Sequence, residues 1–257
     1  MNTNIKIPIG LTAAVDAIEE ICMKTPAYHR CGLKPPHYII NLDAGNGQST
    51  LAEYMAESFA DAGIRHFGGL DMYLEYTLDG TVEQLKKVFS DIRSCAVYTN
   101  EFEGVIAMDI SKLATHINET QVDIFLSEVS KISRHATFIF YVPSATNRNM
   151  AILANKISTA IDEVKILTVY PYNTEEIVAI IKGMIEEAGV MLEEDGNVDK
   201  LLCEMVLAKD IISVKAAKKI SQELVKNANF KAFIPKLTYT ELENVCCLTI
   251  ENKKEAK

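Results

Sequence analysis

The sequence predicts an α/β fold, with a three-layer α/β/α parallel sheet over residues 1–171 and a small helical subdomain over residues 172–257. Three observations carry that expectation. Apolar runs such as Val105–Met108 and Phe138–Tyr141 read as strands buried on both faces. They alternate with amphipathic helices of about 12–15 residues, the spacing of parallel crossover units. Beyond Pro171 the strands cease and helix follows helix.

Each element has its own reason. Residues 11–24 place Leu11, Val15, Ile18, Ile21 and Cys22 at helical spacing among acidic residues. Pro35–Pro36 bars helix before a buried strand at Tyr38–Leu42. A Gly/Asn loop then opens a helix from Ser49, with Gly63 as its C-cap. Residues 81–94 put Val82, Leu85, Val88, Phe89 and Ile92 on one helical face. Strands at 104–110, 136–143 and 164–171 alternate with helices at 120–134 and 148–161. Asn173 or Thr174 caps the next helix, whose first turn is acidic, and helices at 197–208 and 214–228 follow. A charged tail, 251–257, ends the chain.

Composition narrows the function. The 257 residues are 48% hydrophobic and 24% charged, ordinary for a globular protein. A formal charge of −9 argues against a general nucleic-acid surface, which needs a basic stripe. The apolar runs are too short and too interrupted for a transmembrane helix, and the first ten residues lack the basic and apolar regions of a signal peptide. Cysteines 22, 31, 95, 203, 246 and 247 form no CxxC pair and the five histidines no HxxxH pair, so no structural metal is expected. Free thiols fit a reducing, cytoplasmic setting.

The motif that carries chemistry lies between the first strand and the next helix. A P-loop reads GxxxxGK followed by Ser or Thr: glycines turn backbone N–H groups toward phosphates, lysine supplies charge, and the hydroxyl ligates Mg²⁺. Residues 42–49 run Leu-Asp-Ala-Gly-Asn-Gly-Gln-Ser. Gly47 and Ser49 hold their places, whereas Leu42 stands for the first glycine and Gln48 for the lysine. Asp43 brings a carboxylate to the anion site. Asp109, ending the strand 104–110, is the acidic residue that orients the metal; the Glu expected after it is Ile110. Glu119 and Glu128, on the following helix, read as solvated face rather than as a replacement.

From about Gly10 to Glu243 the chain resembles the AAA+ ATPases, P-loop NTPases with a C-terminal helical lid subdomain, and is similar to their small bacterial CbxX/CfxQ and SpoVK-like branch. The resemblance rests on order and spacing. Residues 9–21 are similar to the family's N-terminal segment, 33–57 to its run into Walker A, 104–110 to Walker B, 136–150 to the sensor-1 strand, 169–192 to the opening of the lid and 237–244 to its short ending. It implies an α/β nucleotide-binding core at 1–171 and a lid and tail at 172–257. It also implies that Gly10, Leu11, Gly45, Asn46, Gly47, Gln48, Ser49, Thr50, Leu51, Asp109, Ser144 and Lys215 face ATP or ADP, with Ser49 and Asp109 toward Mg²⁺. The departures agree with one another. Gln48, Ile110 and Ser144 replace the lysine, the Glu and the polar sensor-1 residue, and residues 155–164 contain no arginine finger. Arg134 and Arg148 are the remaining candidates for a trans-acting cation.

The resemblance therefore implies a pseudo-ATPase with weak or no nucleotide hydrolysis, no catalytic residues, and ATP or ADP with Mg²⁺ bound weakly if at all. It would serve as a structural or regulatory subunit in contact with an active AAA+ relative or with itself. An alternative is a slow Mg-dependent ATPase with Gln48 in Walker A, acting as a chaperone-like remodeller. A nucleic-acid-associated relative of the initiator or loader sort is disfavoured by the charge. Tyr73 and Tyr76 stand where hexameric relatives carry a pore-type aromatic loop, and packing tyrosines are the other reading of that stretch.

Overall fold

The computed structural model describes residues 6–31, 34–64, 73–95, 102–115, 118–143, 148–193, 196–228, 235–243 and 245. The chain divides into two compact units, Met1–Val169 and Tyr170–Lys257.

The first unit is built on five parallel strands: β1 (His37–Asn41), β2 (Tyr73–Thr77), β3 (Val105–Asp109), β4 (Thr137–Val142) and β5 (Val164–Leu167), in the order β2-β3-β4-β1-β5. Every residue of β3 and β4 is buried, as central parallel strands require. Alternation sorts β4 between two faces. Phe138, Phe140 and Val142 join a cluster with α3 (Val82–Ser94), α5 (Glu119–Ile132) and α6 (Arg148–Ala160). Tyr141 points the other way, toward α2 (Gln48–Asp61), which packs on α1 (Thr12–Cys31).

An aromatic chain ties the first face together. Phe138 and Phe140 stack at 5.3 Å, Phe125 meets Phe140 edge-on at 5.9 Å, and Phe89 lies 6.2 Å from Phe125. On the opposite face Tyr54 donates to Glu19 at 3.0 Å and Cys22 Sγ lies 3.6 Å from the Ser58 carbonyl, joining α1 to α2.

Several elements differ from expectation. Helix α1 continues to Cys31 with Pro26 inside it. Proline removes only its own N–H from the ladder, and the Thr25 hydroxyl adds a bond to the Ile21 carbonyl. Tyr73 and Tyr76, candidates for an aromatic loop, lie on strand β2, and Tyr76 packs against the core. Residues 67–72 of that stretch fall outside the described residues. A short helix α4 (Ser111–Thr115) follows β3 directly.

The second unit holds α7 (Thr174–Glu187), α8 (Gly196–Lys209) and α9 (Val214–Lys226) around Ile177, Ile181, Ile185, Leu202 and Leu224. Asn173 caps α7 in a reciprocal box: its Oδ1 accepts from Glu176 N–H at 2.9 Å, and Glu176 Oε2 accepts from Asn173 N–H at 2.8 Å. A parallel pair of two-residue strands, β6 (Met191–Leu192) and β7 (Lys236–Leu237), adds to this unit. No helix among the described residues is long and apolar enough to cross a membrane.

Because Phe125 links Phe89 to Phe140 and is fully buried, Phe125→Ala is expected to cost about 3–5 kcal/mol. Urea unfolding of the purified variant checks this through its midpoint. A loss under 1 kcal/mol, on the order of a surface change, is the contrary result.

Candidate functional site

The parallel register sets one row of residues at the carboxyl ends of the strands. Thr77 stands opposite Asp109, Asp109 opposite Tyr141, Tyr141 opposite Ile40, and Ile40 opposite Leu167. This is the edge of an open α/β sheet where ligands ordinarily bind. The β1–α2 loop, residues 42–47, crosses it.

The loop turns on two glycines in the left-handed region, Gly45 at φ 85° and Gly47 at φ 94°, where a side chain is strained. Gly47 is also the N-cap of α2, and no side chain caps that helix. Within the loop Asn46 N–H donates to the Asp43 carbonyl at 3.1 Å, and Leu51 N–H closes the first turn on the Gly47 carbonyl at 2.9 Å.

Gln48, where a P-loop carries lysine, is buried, and its Nε2 donates back to the Leu42 carbonyl at 2.6 Å. The side chain thus joins the two ends of its own loop. The Gln48 main-chain carbonyl accepts from the Tyr141 hydroxyl, also at 2.6 Å, so the start of α2 is pinned to the centre of the sheet. Burial pushes the Tyr141 phenol well above its usual range, and the charges of Glu75 and Tyr73 add to the effect. Ser49 Oγ donates to Glu75 Oε1 on β2 at 2.9 Å.

Asp109 is 8% exposed, and its Oδ1 accepts from Ser111 N–H at 2.9 Å, a side-chain turn that starts α4. Ile110 is fully buried in the core and donates its N–H to the Tyr141 carbonyl at 2.9 Å. The position after the acidic residue is therefore structural.

The structure brings Gly45, Asn46, Gly47, Gln48, Ser49 and Thr50 together on the loop and first turn, near Asp109 and Tyr141. Leu51 is a core side chain at the base of α2 and Leu11 another at the start of α1. Gly10 adopts φ 74° beside Leu11. Lys215 lies exposed in the first turn of α9, in the second unit. Ser144 lies outside the described residues. Arg134 and Arg148 are exposed, whereas Glu128 pairs with Arg93 and, at 2.7 Å, with Lys131.

Two residues that sequence reading passed over complete the site, Tyr141 and Glu75. Strand alternation in 136–143 separates Tyr141 from Phe140 and is the signal that points to it. Glu75 carried no such signal while its strand went unrecognised. Residues 35–64 contain no Lys or Arg, so β1, the loop and α2 offer no cation of their own. No group of three His, Cys, Asp or Glu able to hold a metal occurs among the described residues.

No protein-family model and no curated protein matches the chain. Solved structures do. The RuvB Holliday junction branch migration motor of Thermotoga maritima superposes with a TM-score of 0.60 at 14% identity, covering 93% of this chain and 70% of RuvB. PCH-2 of C. elegans superposes with a TM-score of 0.56 at 12% identity, covering 93% of this chain and 68% of PCH-2. The five-stranded parallel sheet with its helices is the α/β fold of these two proteins.

The Tyr141 bond makes a pH-dependent prediction. A phenol whose folded-state value lies above the unfolded value stabilises fully below the unfolded value, about 10, and loses that contribution as pH rises further. Tyr141→Phe is expected to cost about 0.5–1.5 kcal/mol at neutral pH, since the Gln48 main-chain carbonyl loses the phenol but keeps its place in the helix ladder. The variant's stability should also fall less steeply than the wild type's above pH 10. Urea midpoints measured from pH 8 to about 11 test both, and parallel curves for the two proteins contradict the second expectation.

Proposed function

We propose that this chain is an AAA+-type module with weak or no nucleotide hydrolysis that acts as a structural or regulatory subunit through protein contacts. The observation that carries this reading is Gln48: the residue that should reach for a phosphate is buried and bonded to the Leu42 carbonyl. The groups around it are also engaged within the chain, Ser49 with Glu75 and Asp109 with the Ser111 amide. ATP with Mg²⁺ supplies such folds with a hydrolysable phosphoanhydride and a charge-neutralising metal. The residues present do not fit that group well, because the loop keeps its turn but has no cation in residues 35–64 and sets Asp43 and Glu75 about it. We derive no chemical step from it.

Loss of one charge-assisted contact weakens binding by about 1.5–3 kcal/mol, or about one to two decades. Residual ATP or ADP binding through Gly45–Thr50, with Ser49 and Asp109 toward the metal, is therefore weak in this reading. We take the parent type to be the small bacterial CbxX/CfxQ- and SpoVK-like branch, on the order of segments from Gly10 to Glu243. The core is taken as residues 1–171 and the lid as 172–257, with Lys215 the lid's cation nearest the sensor-2 place. The partner we propose is an active AAA+ relative or a second copy of the chain, in the cytoplasm. RuvB is a motor of Holliday junction branch migration; a net charge of −9 argues against carrying a role on nucleic acid over to this chain.

The retained Ser49 and Asp109 are what would favour the slow Mg-dependent ATPase instead. Calorimetric titration with ATP and ADP, with and without Mg²⁺, followed by a phosphate-release assay, separates the two. We expect dissociation constants near millimolar or no heat at all, and no release above background. Release that disappears in Asp109→Ala sinks this proposal and establishes the slow hydrolase.

A further inference from the structure

We propose that Glu75 is a built-in counter-anion, whose carboxylate holds the Ser49 hydroxyl beside the first turn of α2 and puts negative charge where a phosphate with its metal would have to sit. This deepens the reading of the β1–α2 loop given above and rests on it. The missing lysine then accounts for only half of the loop's poverty as an anion site.

The geometry points to Glu75 from three sides. Its Oε1 accepts from Ser49 Oγ at 2.9 Å, and Ser49 is the second residue of α2. That helix start carries no side-chain cap, so its partial positive charge is open to whatever anion lies nearest. The carboxylate also bears on Tyr141, whose phenol is raised first by burial and then by the charge of Glu75. Glu75 and Ser49 are both exposed, so this carboxylate stands at the solvent side of the helix start. With no Lys or Arg in residues 35–64, nothing in β1, the loop or α2 offsets that charge against an incoming phosphate.

Restoring the lysine alone is therefore not enough. The side chain at position 48 is buried, directed at the Leu42 carbonyl and next to the Tyr141 contact. An ammonium placed there meets the Leu42 carbonyl, while the exposed Glu75 carboxylate beside Ser49 still stands against an incoming phosphate. Removing the carboxylate lifts that repulsion and frees the helix start. The barrier to nucleotide binding consequently lies on β2 as well as in the P-loop, 26 residues from Ser49 in the chain.

The test is a calorimetric titration of the full chain with Mg-ATP and with ADP, using the wild type, Gln48→Lys, Glu75→Gln and the double variant. Glu75→Gln keeps the size and the acceptor for Ser49, and Glu75→Ala serves if that variant does not fold; thermal melts report folding for each protein. We expect Gln48→Lys to bind no better than the wild type, and the double variant to bind at least about tenfold more tightly than Gln48→Lys. Equal affinity of the single and double variants, both silent included, overturns the proposal. So does Gln48→Lys gaining tight binding by itself. The comparison is independent of turnover: wild-type phosphate release that depends on Asp109 would remove the proposed function and leave this contrast between variants to be read as before.

Discussion

Much of this architecture depends on one buried hydrogen bond, from the Tyr141 hydroxyl to the Gln48 carbonyl at 2.6 Å. Tyr141 sits at the centre of the sheet, opposite Ile40 on one side and Asp109 on the other. Gln48 is the first residue of α2. The bond therefore attaches the start of a helix to the middle of the sheet in a place where water cannot substitute for it. A hydrogen bond of this kind contributes about 0.5–1.5 kcal/mol, a sizeable share of an ordinary domain's stability. The Gln48 amide then binds the Leu42 carbonyl and closes the loop from within. Between them, these contacts tie both ends of the β1–α2 loop to the sheet.

The sheet makes this arrangement possible. Parallel register brings the ends of β2, β3, β4, β1 and β5 to a common edge, so residues far apart in sequence meet there. What maintains that edge is the burial of β3 and β4 and the aromatic contacts of Phe89, Phe125, Phe138 and Phe140. None of those four phenylalanines takes part in the loop chemistry. A chain only 12–14% identical to RuvB and PCH-2 superposes on them over this fold.

The parts of the fold legible in the sequence are those where burial or capping leaves a local signature. Strands β3 and β4 show as continuous apolar runs, and α3 as a single apolar face. The Asn173–Glu176 box announces α7 within four residues. Strand β2 was hidden because it is only partly buried, with polar and aromatic residues mixed in Tyr73–Thr77. The two-residue strands β6 and β7 have no periodicity to read. Helix α4 depends on the Asp109 side chain turning back to Ser111, which no propensity encodes. The site divides in the same manner. Gly47, Ser49 and Asp109 stand out by spacing alone, whereas the pairings of Gln48 with Tyr141 and of Ser49 with Glu75 cross 93 and 26 residues and appear only once the sheet is assembled.

The residues that remain of the motif have local reasons to remain. Gly45 and Gly47 adopt positive φ, so the turn itself demands glycine whether or not a phosphate ever occupies it. Asp109 starts α4 through the Ser111 amide, and Ser49 satisfies Glu75. At Gln48, as at Ile110, the local structure calls for a residue other than the one phosphate chemistry would use. A buried ammonium needs an anion beside it, whereas a neutral amide of nearly the same reach needs only an acceptor, and the Leu42 carbonyl provides one. The shape of this loop accounts for Gly45, Gly47, Ser49 and Asp109, and for an amide at position 48, without reference to phosphate. Retention of the motif in this loop is thus evidence about backbone geometry first, and about phosphate chemistry only where a cation accompanies it.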